Sequence, residues 1–147
     1  MPLMRTWTAQ ATTEARPEDI LAALTDPSAV ARWSPVEFDI EDDVRRLKAG
    51  TRTRVSGRLA GVRVGFDVEV ERADDHQLRL RACGPVSMDV AYDVASSEGA
   101  TEVRASVSVH PGRGLLSTVM AEATAGLLRA GALTSAVDRI ARFAVAA

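Results

Sequence analysis

Residues 62–71 alternate between apolar and mostly charged side chains more regularly than any other part of this chain. A period of two places successive side chains on opposite faces of a β-strand. One face of this segment would therefore lie in an apolar core and the other in water. The apolar face carries Val62, Val64, Phe66, Val68 and Val70, and the opposite face carries Arg63, Asp67, Glu69 and Glu71.

Other strand-like segments recur about every ten residues, and turn residues separate them. Ala60-Gly61, Asp74-Asp75, Gly84-Pro85 and Ser96–Gly99 mark these turns. The spacing predicts an antiparallel meander over residues 51–59, 62–72, 77–83, 86–94 and 101–110, with two further strands at 5–13 and 36–40.

Two short helices are predicted between the strands at 5–13 and 36–40. Pro17 suits the first helical position, and Asp26-Pro27 supplies an N-cap followed by another such proline. The second helix would run to Trp33 and end before Pro35. After residue 114 apolar residues recur at helical spacing, which predicts one long C-terminal helix that contains Gly126 and Gly131.

A sheet with one apolar face must be covered, and the long helix is the element large enough to cover it. The outer face would carry rows of alternating charge, with Arg52, Arg54 and Arg58 beside the acidic row on 62–71. The fold class is therefore α+β, a curved antiparallel sheet of about seven strands wrapped around the C-terminal helix. We expect residues 1–147 to form a single domain.

The segment from Arg16 to Trp33, with Thr25-Asp26-Pro27 at its centre, resembles the opening of START-related, Bet v 1-like proteins of the SRPBCC superfamily. Lys48-Ala49-Gly50-Thr51 is similar to the turn that opens their third strand. The order of elements also matches along nearly all of the chain. This resemblance to the polyketide cyclase/dehydrase and lipid-transport family implies a helix-grip fold with a deep cavity between sheet and helix.

The resemblance implies a hydrophobic ligand such as a lipid or a polyketide, and the inward-facing residues give the expected lining. Thr53 and Tyr92 would orient the ligand, and Trp33 and Phe38 would lie near the entrance. The rest of the expected lining is apolar: Val55, Phe66, Val68, Leu80, Met88, Val90, Met120, Ala123 and Leu127.

Two other functions remain open. A polyketide cyclase/dehydratase of the aromatase type, working without a cofactor, would use Tyr92 to polarise a carbonyl of the bound poly-ketone. Alternatively, the cavity is collapsed and the domain is a non-catalytic interaction module. Family cyclases resemble one another in carrying polar, Arg or Tyr groups inside the cavity, whereas Tyr92 is the only inward phenol that the pattern places here.

Other residues favour structural roles. Cys83 is expected to be a small buried residue. We expect His76 in a turn and His110 at the surface end of a strand, with a role at the cavity mouth as the alternative for His110. Neither histidine has a partner at metal-ligand spacing, so no metal site is predicted.

Charge and hydropathy limit the partners. The formal net charge is −2, which gives no basic footprint for nucleic acid. No apolar run is long enough to span a membrane. With one cysteine and no signal-peptide pattern, we expect a cytoplasmic protein. The sequence has 17 arginines and one lysine, which is typical of a GC-rich genome, and we expect a bacterial source. A homodimer is compatible with the sequence.

Overall fold

The computed structural model describes residues 5–33, 38–40, 46–59, 62–111 and 114–146. Five expectations lie outside the described part: the helix stop before Pro35, the strand start at Val36, the turn at Ala60-Gly61, and the side chains of Trp33 and Val62. Within these residues the chain forms seven strands and four helices. The strands are β1 (Arg5–Thr13), β2 (Phe38–Ile40), β3 (Arg52–Leu59), β4 (Val62–Ala73), β5 (Gln77–Cys83), β6 (Val86–Ser97) and β7 (Ala100–Pro111).

The prolines open the first two helices, as the sequence predicts: α1 (Pro17–Thr25) and α2 (Pro27–Trp33). Asp26 precedes α2, and its Oδ1 accepts a hydrogen bond from the Ser28 backbone N–H at 3.0 Å. The N-cap prediction is therefore confirmed.

The seven strands form one antiparallel sheet in the order β1-β7-β6-β5-β4-β3-β2. The turn between β6 and β7 consists of Glu98 and Gly99, with φ of 47° and 81°. Positive φ at both positions suits a two-residue hairpin turn, and this turn fixes the β6–β7 register. A bulge interrupts the β4–β5 pairing between Val70 and Arg72.

The C-terminal helix differs from the prediction. It is divided into α3 (Leu115–Arg129) and α4 (Ala132–Ala146). Gly131 lies at the break with φ of 96°, a left-handed conformation that glycine adopts at the C-terminus of a helix. Helical periodicity continues on both sides of Gly131, which is why the pattern suggested one helix.

Helices α1, α3 and α4 pack on one side of the sheet, which we call the inner face, and α2 contacts α1 and α4. The core lies between this face and α1 and α4. Residues at most 1% exposed there include Ile20, Leu24, Leu78, Val103, Val137 and Ile140. The helix-grip fold predicted from the sequence is confirmed, with two C-terminal helices in place of one.

Candidate functional site

The inner face of the sheet has two parts with different burial. Towards α1 and α4 the side chains are sealed: Val70 is 1% exposed, Val94 4% and Ala105 0%. Nearer the middle of β3 to β6, large apolar side chains on the same face are only half-buried. We call this second set the inner patch: Val55, Phe66, Val68, Leu80, Met88 and Val90.

The register of the sheet brings the inner patch together. Val55 pairs with Phe66, and Leu80 pairs with Val90. Val68 and Met88 flank Ala82, which pairs with both. The patch is therefore continuous across four strands. Large apolar residues at the centre of a helix-covered sheet are normally buried, so their exposure shows that water reaches the inner face at this point.

Helix α3 lies against β3, β6 and β7 on the same side of the sheet. Met120 is buried in the core, and Ala123 is half-buried against it. Leu127 is 41% exposed. A Cβ added at Gly126 would meet no atom within 4 Å, so this glycine does not serve close packing.

Two polar side chains lie among the apolar ones. Thr53 is 6% exposed and pairs with Val68. Tyr92 is 8% exposed and lies between Val90 and Val94 on the same face of β6. Burial raises the pKa of Tyr92 to about 12, so its phenol stays protonated at neutral pH and can donate a hydrogen bond.

At the inner positions described in β2 to β7, Tyr92 is the one ionisable side chain. The inner patch can therefore solvate an apolar molecule. It supplies no charge for an ionic ligand at these positions, and no carboxylate or imidazole for proton transfer.

Phe38, predicted to lie near the entrance, is half-buried in β2 opposite Gly57. It lines a depression of about 570 Å³ at the corner between α2, β2 and β3. The other lining residues are Ala31, Asp39, Gly57, Arg58 and Arg63. The backbone of Trp33 ends α2 at the same corner.

The outer face carries the predicted rows of alternating charge. Arg52 lies 3.6 Å from Glu69, and Arg54 lies 3.0 Å from Asp67. This orientation is the one that turns the valines of β4 inward. The arginines of β3 therefore do not line the inner face.

In β5 and β6, Arg81 and Asp89 continue the rows of alternating charge, and His110 joins them although the sequence did not predict this contact. The carboxylate of Asp89 accepts hydrogen bonds from Arg81 Nε at 3.0 Å and pairs with His110 Nε2 at 2.8 Å. Partial burial raises the pKa of Asp89, but the hydrogen bonds from Arg81 and His110 outweigh it, so the pKa lies below its ordinary value. The sequence signal for this cluster lies in the turns between β5 and β6 and between β6 and β7. These turns fix the registers that place Arg81, Asp89 and His110 on adjacent strands.

Cys83 is exposed, so the expectation of a buried cysteine is wrong. The cause is the alternation along β5: Leu78, Leu80 and Ala82 point inward, and the next residue must point outward. His110 lies at the end of β7, half-buried and paired with Asp89, on the face opposite the inner patch.

The described residues contain no group of three His, Cys, Asp or Glu side chains placed to hold a metal ion. Among the helices of the described chain, none has the length and apolar character needed to cross a membrane.

The fold and its half-buried inner patch define the class: a helix-grip domain whose sheet is incompletely sealed by its helices. The chain belongs to the family described as polyketide cyclase / dehydrase and lipid transport, whose model matches residues 4–141. The family resemblance noted from the sequence is confirmed. No curated protein matches the chain.

Solved structures share the fold at low sequence identity. The aromatase/cyclase ZhuI from Streptomyces sp. R1128 superposes with a TM-score of 0.73 at 14% identity, over 97% of this chain and 94% of that one. Ara h 8.0201 superposes with a TM-score of 0.66 at 11% identity, over 99% of this chain and 100% of that one. DynU16, from the dynemicin biosynthetic locus, superposes with a TM-score of 0.61 at 22% identity. The match covers 94% of this chain and 46% of DynU16.

Proposed function

We propose that this domain binds an uncharged, apolar small molecule between the inner patch and α3. The observation that carries the proposal is the half-buried state of six large apolar side chains at the centre of a helix-covered sheet. An apolar ligand placed there would remove this surface from water. Each 100 Å² of apolar surface removed contributes about 2.5 kcal/mol, so a ligand that covers the patch gains several kcal/mol before its ordering costs.

The ligand should be neutral. Moving a charged group without a partner into an apolar site costs far more free energy than one apolar contact contributes. The inner positions of β2 to β7 offer such a group no opposite charge in the described part of the chain. Thr53 and the protonated Tyr92 suit a ligand with a carbonyl or ester oxygen, which accepts hydrogen bonds and carries no charge.

The inner patch also argues against a collapsed interior. If the helices had closed fully onto the sheet, Val68 and Val90 would be as buried as Val70 and Val94 on the same strands. A non-catalytic interaction module with a collapsed cavity is therefore the weaker interpretation.

Tyr92 supports a second candidate function. A buried phenol that stays protonated can stabilise negative charge developing on a carbonyl oxygen, as a polyketide cyclase/dehydratase requires. If Tyr92 has this role, Tyr92→Phe should lower turnover of a poly-ketone by about 100-fold and leave binding of an unreactive apolar ligand nearly unchanged. If Tyr92 serves only packing, Tyr92→Phe should change neither the turnover nor the ligand binding.

Titration with Nile red, an uncharged apolar dye, tests the binding proposal directly. Leu80→Gln places an amide in the inner patch and should weaken dye binding about tenfold or more. The control is Arg79→Gln, which introduces the same residue one position earlier on the outer face. Arg79→Gln should leave the affinity unchanged. Equal affinities for both variants would place the binding site elsewhere.

Competition with matched ligands tests the charge argument. Methyl laurate should displace the dye at a concentration at least tenfold lower than laurate at neutral pH, because only laurate carries a carboxylate into the site. Equal displacement by both would mean that a cation lies within reach of the ligand.

A further inference from the structure

The strand β1 forms one edge of the sheet and lacks three features that can protect an edge: a bulge, a proline and a row of charged residues. It pairs with β7 from Arg5↔Val109 to Thr13↔Thr101, and no bulge interrupts this register. Among the residues that the structure describes, no strand lies on its other side. Its nine residues contain no proline and a single charge, Arg5.

The opposite edge shows the contrast. There, β2 is only three residues long, and its central residue is the exposed Asp39. Short length and charge are two of the devices by which proteins prevent pairing between sheet edges. A long, straight, nearly uncharged edge presents a row of backbone N–H and C=O groups to another strand.

The side chains of β1 also suit pairing. Thr6, Thr8, Gln10 and Thr12 are exposed on the outer face, while Trp7, Ala9 and Ala11 are half-buried on the inner face. Threonine favours strands, and threonines opposite one another stabilise a strand pair.

We propose that β1 pairs antiparallel with β1 of a second copy of this chain, about a two-fold axis at Ala9. In this register Thr6 of one copy lies opposite Thr12 of the other, and Thr8 lies opposite Gln10. Arg5 lies opposite Thr13, so the two arginines are at opposite ends of the pair and no like charges meet. The edge is thus complementary to itself, as a two-fold interface requires. The result is one continuous sheet of fourteen strands, twice the seven of a single copy.

The contact is small, because it consists of one strand pair and the side chains beside it. Interfaces at the low end of the size range are weak. The dimer should therefore form at micromolar or higher concentration and be lost on dilution.

Sedimentation velocity over a concentration series of the full chain tests the proposal. The wild type should shift from monomer to dimer as its concentration rises. Two exposed-face variants then test the register: Thr8→Lys/Gln10→Lys and Thr8→Glu/Gln10→Glu. Each alone places like charges opposite one another and should be monomeric at every concentration. An equimolar mixture of the two should dimerise, because each lysine then faces a glutamate.

Hydrogen exchange on the wild type provides a second measurement that needs no substitution. Amides in residues 5–13 should exchange more slowly at high concentration than at low concentration. A wild type that stays monomeric would overturn the proposal. So would a dimer that both variants still form alone, or a dimer without added protection in residues 5–13.

Discussion

Truncation of two valines on one strand tests whether the inner patch borders open space. Val90 and Val94 both lie on the inner face of β6, four residues apart, but Val90 is half-buried and Val94 is 4% exposed. Val94→Ala removes buried carbon worth about 1.6 kcal/mol, and the cavity it leaves raises the total to about 2–3 kcal/mol. Val90→Ala removes atoms that water already reaches, so it should cost about 0.5–1 kcal/mol.

Urea denaturation followed by circular dichroism measures the difference. Both variants replace the same residue in the same strand, so the loss of strand propensity cancels between them. With a typical slope of about 1–3 kcal/mol per molar urea, the two midpoints should differ by roughly 0.5–1.5 M. Equal destabilisation by the two substitutions would show that Val90 is packed as tightly as Val94, and the inner patch would then border no open space.

Two further predictions concern the helix break and the outer face. Gly131→Ala should destabilise the fold by about 1–2 kcal/mol in thermal or urea unfolding, because an alanine is strained at φ of 96°. Gly126→Ala should instead stabilise α3 slightly, since the added Cβ meets no atom and glycine is a poor helix former. Equal changes in stability for the two substitutions would contradict this account of the helix break. Because the pKa of Asp89 is lower in the folded chain, its stabilising contribution is complete above the ordinary value of 3.8 and is lost as the pH falls through the folded value. In the Asp89→Asn variant the free energy of unfolding should therefore fall less steeply below about pH 4, by less than about 1 kcal/mol for a pair this exposed. If the free energy of unfolding has the same pH dependence in the variant and the wild type, Arg81 and His110 do not act on Asp89 in solution.

The sequence predicted the sheet well because its strands are half-buried. Alternation reports directly which face is apolar, so the inward direction of Val68 and the outward direction of Arg54 followed without coordinates. The same alternation, applied one residue further along β5, would have placed Cys83 outside. That error came from weighing the usual burial of cysteine above the local pattern.

The helix break and the contact between His110 and Asp89 needed the structure. Periodicity cannot separate one helix from two that continue in phase, and only the positive φ of Gly131 marks the end of α3. Asp89 and His110 are 21 positions apart in sequence, and the β6–β7 register must be known before they become neighbours. The half-buried state of Val90 beside the sealed Val94 likewise depends on where α3 lies, which no pattern of a single strand contains.

Methyl NMR of the chain during titration with an uncharged apolar ligand tests the central claim most directly. The methyl signals of Val55, Val68, Leu80, Met88 and Val90 should shift on addition of methyl laurate. Those of Val103 and Ile140, which are 0% exposed between sheet and α4, should move little. Shifts confined to residues outside the inner patch, or no saturable shift at all, would contradict the proposed binding site.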